Sequence, residues 1–376
     1  MRKKLFLLSL LFCGMTAGAQ EFTVPSTNIN AKGWPHILPD NSVEFKIRSN
    51  ENLSQMKLSL DQSCRFEKQA DGTWMAHTKP LVPGFHYYWF CLGGMDVSDP
   101  ASKSYFGCGR MTSAIDIPEA GCSFYDIKDV PHGKVSIVTY YSKVRNANAT
   151  MYVYTPASYS KGNKRYPVLY LQHGGGEDES GWTLQGKTNY ILDNLIAEEK
   201  AKDMIVVMSN GNITVPGTGF GYSIQGMKGF EEELTRVIIP FVDQSFRTIA
   251  DKQHRALSGL SMGGGQSFFV GLQHTELFSY IGVFSTGVFG GIRETKSFDA
   301  EAAMPGLISQ HDKYNKALKL FYISVGTDDP RLASTQKAVS DMRQAGLAIT
   351  FNSFPGDHEW QVWRKSLHDF AQKLFD

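Results

Sequence analysis

Five residues, Gly259-Leu260-Ser261-Met262-Gly263, constrain this chain more than any other stretch of its 376 residues. A short apolar run, Ala256 to Ser258, leads into them, and a helix-like stretch begins near Gly264. A serine between a strand and a helix sits on a tight, strained turn, so the residues two before and two after it must be small or side chains collide across the turn. The turn presents the serine hydroxyl at the end of a sheet and leaves the next amide, that of Met262, facing the space in front of it.

The surrounding pattern agrees with a strand–turn–helix reading. Val168 to Leu171, Ile205 to Met208, Ile281 to Phe284 and Phe321 to Val325 are further short apolar runs, and Val135 to Tyr141 and Thr150 to Tyr154 read as strands ahead of them. Between and after them lie helical patterns. Phe230, Leu234, Val237, Ile238, Phe241 and Val242 share one helical face, as do Val362, Trp363, Leu367, Phe370 and Leu374. Strands alternating with helices predict an α/β unit, a mostly parallel sheet covered on both faces.

Residues from about 24 to 115 follow a different period. Val43, Phe45 and Ile47 alternate with polar neighbours, and so do Met56, Leu58 and Leu60. Asp71-Gly72 and Gly93-Gly94 are turn signals, and Phe85 to Leu92 reads as one dense aromatic strand. Short strands at this spacing predict a small all-β sandwich of the immunoglobulin-like kind. Pro118, Gly121, Pro131 and Gly133 punctuate the stretch that follows. The expected organisation is a leader at 1–19, a β unit at 20–115 and the α/β unit at 116–376.

The leader is read from Arg2, Lys3 and Lys4, then the apolar run Leu5 to Cys13, then the small residues Ala17-Gly18-Ala19. That run is too short to span a bilayer, and its order is that of a secretory signal peptide. A periplasmic or secreted protein with no membrane span is expected. Cys64, Cys91, Cys108 and Cys122 remain after the leader, and three disulfide pairings are open to four cysteines. The formal net charge of +1 carries no basic footprint, so nucleic acid is not an expected partner.

A serine nucleophile needs a base and a third group to orient that base. After such a turn, the expected chain order is serine, acid, histidine. His358 lies in Pro355-Gly356-Asp357-His358-Glu359-Trp360, a loop between the strand Ile349 to Phe354 and the last helix. His368 falls inside that helix, and His274 and His311 read as surface residues. Phe321 to Val325 runs into Gly326-Thr327-Asp328-Asp329-Pro330, where Asp329 is the favoured acid and Asp328 the alternative. His173-Gly174-Gly175-Gly176 follows the strand Val168 to Leu171, and glycines there let the backbone aim an N–H at a developing oxyanion beside the Met262 amide.

From about residue 134 onward the chain resembles the esterase D and feruloyl esterase family, carbohydrate esterase family 1. The stretches that carry the resemblance are Tyr170-Leu171-Gln172-His173-Gly174-Gly175-Gly176, Ile239-Pro240-Phe241-Val242 with Phe246-Arg247-Thr248, Leu260-Ser261-Met262-Gly263-Gly264, and Pro355-Gly356-Asp357-His358-Glu359-Trp360-Gln361-Val362-Trp363. The N-terminal segment, with Asp99-Pro100, resembles the early-set β domains that precede such esterases. The resemblance implies an α/β-hydrolase fold and a triad of Ser261, His358 and Asp329. It also implies an oxyanion donor at Gly175, to join the Met262 amide that the serine turn presents, and an acylated polysaccharide or oligosaccharide as substrate; no metal or organic cofactor is implied. Feruloyl or acetyl esters of xylan-type glycans are the expected substrates. A siderophore esterase, an acyltransferase with the same triad and a non-catalytic carbohydrate-binding protein are the rival readings. Phe220, Tyr222 and Trp182 are candidates to line an acyl pocket, or else to pack. Every candidate catalytic group lies after residue 116, so that segment alone is expected to act on small soluble esters.

Overall fold

The computed structural model describes residues 22–213, 223–286 and 298–376. Its centre is an eight-stranded sheet. The strands are β1 (Lys134–Ser142), β2 (Ala147–Thr155), β3 (Val168–Gln172), β4 (Ile205–Ser209), β5 (Arg255–Leu260), β6 (Tyr280–Phe284), β7 (Leu320–Gly326) and β8 (Thr350–Phe354). Their order is β1-β2-β4-β3-β5-β6-β7-β8. The β1–β2 and β2–β4 pairs are antiparallel, and every later pair is parallel. The apolar runs of β3 to β7 are short and continuous because these strands are buried on both faces. Within β3, Leu169 and Leu171 join one core, with Trp182 and Trp360, while Val168 and Tyr170 join the other, with Phe230 and Val242.

Four helices matter for the site: α1 (Thr188–Ala197), α2 (Ile224–Glu233), α3 (Met262–Gln273) and α4 (Trp360–Ala371). After α2 the helical path continues to Ser245 through a wide π turn at Leu234–Ile238. Pro240, just beyond, has no N–H for the carbonyl four residues back, and the wider turn accommodates that loss. Phe230, Leu234, Ile238 and Val242, four residues apart, are fully buried, whereas Val237 and Phe241 are only partly so.

Residues 22–117 contribute three small sheets. One orders His36–Ile37, Val43–Arg48, Thr73–His77 and Glu67–Lys68. A second orders Gly84–Tyr88, Arg110–Ile117 and Tyr105–Gly107, and a third orders Lys57–Leu58, Phe90–Leu92 and Met95–Val97. The aromatic run Phe85 to Leu92 is therefore two strands, not one. The ladder changes partners at Trp89, whose N–H donates to Ser59 Oγ at 2.8 Å while its carbonyl accepts from the Ser59 amide at 3.0 Å. A continuous apolar stretch carries no signal for such a change of sheet, because both halves are buried. Of the alternating stretch Met56 to Leu60, only Lys57–Leu58 is strand. Cys64, Cys91, Cys108 and Cys122 are all free thiols.

The boundary expected at residue 115 falls inside the strand Arg110–Ile117. Phe85, Tyr105 and Ala114 pack in the same core as Trp182, Trp360, Val362 and Phe370. Arg364 of α4, fully buried, pairs with both carboxylate oxygens of Asp116 at 3.1 Å and donates twice to the Gln185 carbonyl. Lys187 Nζ reaches the same carboxylate at 2.8 Å. Burial opposes the charge on Asp116, but Arg364 and Lys187 outweigh it and lower its pKa to about 2. The β segment and the α/β segment thus share apolar core and a buried ionic cluster.

Candidate functional site

Ser261 links β5 to α3 with φ 50° and ψ −111°, a conformation that costs a non-glycine residue on the order of 1–3 kcal/mol. Close approach explains the flanking glycines. A Cβ on Gly259 would lie 2.5 Å from the Gly263 carbonyl carbon, and one on Gly263 would lie 2.5 Å from the backbone oxygens of both Gln172 and His173. The end of β3 is pressed against the turn, which leaves no room for side chains there. Met262 is the first residue of α3, so its N–H has no carbonyl in its own helix to reach.

His358 lies between two of the expected partners. Its Nε2 is 3.0 Å from Ser261 Oγ, and its Nδ1 is 2.7 Å from Asp329 Oδ2. The loop after β8 carries His358, and the loop after β7 carries Asp329. These strands are parallel neighbours on the β5 side of the sheet, so their carboxyl ends deliver both side chains to one edge. The imidazole also meets Trp363 edge-on at 5.1 Å. Asp329 is 3 % exposed, whereas Asp328 is exposed and uses its amide to bond the Gly356 carbonyl at 2.9 Å. Of the two candidate acids, only Asp329 is brought to the histidine. Burial raises the Asp329 pKa, but hydrogen bonds from His358 and the Arg331 amide outweigh it and hold the carboxyl below its ordinary value. Arg331 also reaches Asp329 Oδ1 through its guanidinium at 3.1 Å. Nothing in the sequence pattern singled out Arg331.

The other histidines have different company. His274 is half-buried rather than a free surface residue, held between Glu231 at 2.8 Å and Glu276 at 2.7 Å. His368 lies tilted against Phe124, with ring centroids 4.4 Å apart. His311 is partly exposed beside Asp312.

The glycine loop after β3 lies against the serine turn. A Cβ on Gly174 would be 2.6 Å from Leu260 Cδ1 and 3.5 Å from Ser261 Cβ. Gly175 is exposed on this loop. His173 itself is buried beneath it. The Gly211 amide donates to its Nε2 at 3.0 Å, so the ring proton sits on Nδ1 and bonds the Gly174 carbonyl at 2.8 Å. Burial lowers its pKa, so the ring is a neutral brace. Trp182 is packing rather than pocket. It is 1 % exposed, donates to the Gln172 carbonyl at 2.8 Å and meets Trp360 edge-on. Phe220 and Tyr222 lie outside the described residues. Among the described residues no helix is long and apolar enough to cross a membrane.

A serine on a strained strand-to-helix turn, followed in the chain by a buried aspartate and a histidine that bridges the two, defines the class: an α/β-hydrolase with a serine–histidine–aspartate arrangement. Residues 142–374 match the esterase family model, and the chain belongs to that family. It is similar to an endo-1,4-beta-xylanase/feruloyl esterase of Xylanibacter ruminicola, 34% identical over 370 residues that cover 95% of this chain and 48% of that protein. The chain thus spans about half or less of the length of the first curated relatives it matches. Among solved structures, a ferulic acid esterase from Anaeromyces mucronatus superposes with a TM-score of 0.58 at 26% identity, covering 68% of this chain and 96% of that one. The enterobactin esterase of Shigella flexneri superposes with a TM-score of 0.63, covering 89% of this chain and 93% of that one. At 14% identity that second likeness is one of fold.

Proposed function

We propose that the chain is a secreted serine carboxylic ester hydrolase that releases feruloyl (hydroxycinnamoyl) or acetyl groups from xylan-type plant polysaccharides. The observation that carries this reading is His358 bridging Ser261 and Asp329 at 3.0 and 2.7 Å. In the proposed reaction Ser261 Oγ attacks the ester carbonyl while His358 Nε2 takes its proton and returns it to the leaving sugar alcohol. Asp329 orients the imidazole and stabilises its cation. The amides of Met262 and Gly175 hold the oxyanion, each such donor contributing roughly 3 kcal/mol to the transition state. Water then attacks the acyl-enzyme with His358 again as base. The likeness to a xylanase/feruloyl esterase along nearly the whole chain supports the substrate class. Secretion rests on the leader read at 1–19. In this reading residues 20–115 form an immunoglobulin-like β unit ahead of a hydrolase unit at 116–376, and the strand Arg110–Ile117 runs across their boundary.

Asp329→Asn is expected to lower turnover by about 10⁴-fold, because an asparagine no longer enforces the productive imidazole tautomer. Asp328→Asn is expected to leave turnover within a factor of two or so, since that residue is exposed. Steady-state rates of the two variants on one chromogenic ester decide between them, and the reverse ranking would move the acid role to Asp328.

Substrate is tested by initial rates of one preparation on methyl ferulate, acetylated xylan and an enterobactin-type triester. A preference of about a hundred-fold for either of the first two, about 2.7 kcal/mol in the barrier, is the expected result. A preference for the triester would make the chain a siderophore esterase. Transacylated sugar in place of free acid would make it an acyltransferase, and no turnover of any ester would leave a carbohydrate-binding role.

A further inference from the structure

We propose that Tyr87, carried by the N-terminal β segment, is a positioning residue for the oxyanion loop, acting through the buried carboxylate of Glu177. The inference rests on the hydrolase reading above, in which the loop 173–176 supplies an oxyanion donor. Glu177 follows that loop directly and is 5 % exposed. One of its oxygens accepts from the Gly174 amide at 3.3 Å, and the other accepts from the Tyr87 hydroxyl at 3.1 Å. Its own carbonyl accepts from Asn212 at 2.8 Å.

The Tyr87 hydroxyl is fully engaged. It has one proton to give and two lone pairs to fill. The proton goes to Glu177, and the lone pairs accept from Gln185 Nε2 at 2.8 Å and Trp360 Nε1 at 3.0 Å. A phenylalanine would occupy the same space, so the hydroxyl has a polar task distinct from packing. Trp360 stands two residues after His358, so this one oxygen connects the β segment to the glycine loop and to the element that follows the triad histidine. A second tie lies alongside. The Gly109 amide, at the tip of a hairpin in the β segment, donates to the Gly176 carbonyl at 2.8 Å, and a Cβ on Gly176 would sit 3.2 Å from the Gly109 nitrogen. The loop whose amide must meet an oxyanion within a few tenths of an ångström is therefore clamped by residues from outside the hydrolase sheet.

The ionised form of Glu177 is the one that holds the loop. Both of its oxygens face donors, and the Tyr87 oxygen has no lone pair left to accept a carboxyl proton. Burial nonetheless raises the Glu177 pKa to about 7, so the clamp weakens as pH falls through that range. The titratable groups that face it are Tyr87, Asp178 and Cys108, and the remaining neighbours, Gly174 and Trp360, are neutral donors.

The test uses the full chain with Tyr87→Phe, Glu177→Gln and the double variant. A small chromogenic ester gives kcat and KM across pH, and a fluorophosphonate gives the labelling rate of Ser261. Displacing a catalytic group by about 1 Å costs up to 10²-fold. Each single variant is therefore expected to lose about tenfold or more in kcat with KM within about threefold. Labelling should slow in parallel. The acid limb of the kcat profile should move up in Tyr87→Phe, where the carboxylate loses a donor, and lose its Glu177 component in Glu177→Gln. The double variant should be no worse than Glu177→Gln alone, because the two residues act in series. Should Tyr87→Phe fail to fold, the Glu177→Gln profile alone decides. Variants within twofold of wild type would overturn the proposal, and so would additive losses with an unmoved acid limb. A wild-type chain that neither hydrolyses the ester nor labels at Ser261 would instead defeat the hydrolase reading itself.

Discussion

Ser261→Ala is expected to reduce ester hydrolysis by about 10⁶-fold, the scale seen when the nucleophile of a serine triad is removed. His358 and Asp329 would remain in place, yet neither has a nucleophile to act on, so the loss should approach that of the whole triad. The melting temperature should hold within a few degrees, since the change removes a single hydroxyl, the one that lies 3.0 Å from His358 Nε2. A serine-directed fluorophosphonate should label wild type at Ser261 alone and leave the variant unlabelled. Hydrolysis by the alanine variant at wild-type rates, or labelling at another serine, would sink the assignment.

A chain that begins at residue 116 is expected not to fold into an active enzyme, although every proposed triad and oxyanion residue lies beyond that point. The cut would take Phe85, Tyr105 and Ala114 out of the core that holds Trp182, Trp360 and Val362. Burying each of the two aromatic side chains is worth about 1.5–3 kcal/mol. The cut also leaves Asp116 as a chain end, freed from the strand Arg110–Ile117 that holds it against Arg364, and breaking a buried pair of this kind costs about 3–5 kcal/mol. The sum rivals the whole stability of an ordinary domain, about 5–15 kcal/mol. Circular dichroism with a thermal melt, together with rates on a small ester, checks this. A shortened chain that melts cooperatively and turns over at the full rate would show two independent units after all. Arg364→Ala in the full chain is the milder version, and a melt lowered by several degrees is expected of it.

The α/β half was legible because its signals are local. A strained turn demands glycines at fixed offsets around Ser261, and those offsets are visible in the chain. Strands buried on both faces appear as unbroken apolar runs, so β3 to β7 were expected within a residue or two of where they lie. His358 was singled out by standing on a loop between a strand and the last helix, which is where it is found. The choice between Asp328 and Asp329 was different in kind. Both follow β7, and neighbouring residues leave a strand end in opposite directions, so only the path of the turn decides which carboxyl is buried against the imidazole.

What the sequence by itself determined is the α/β order, the serine turn and the loops able to carry a base and an acid, because each is set by steric and hydrophobic rules acting within a dozen residues. Tertiary structure alone decided the rest. Trp89 marks a change of sheet, Arg331 supports the acid, His173 braces the glycine loop as a neutral ring, and Trp182 packs instead of lining a pocket. The tie between Tyr87 and Glu177 spans 90 positions, and that between Asp116 and Arg364 spans 248. Hydrogen bonds and ion pairs between residues so far apart leave no period or spacing in a chain. They exist only once hydrophobic burial has brought the two segments into one core, where a polar group left without a partner would cost more than the contact that satisfies it.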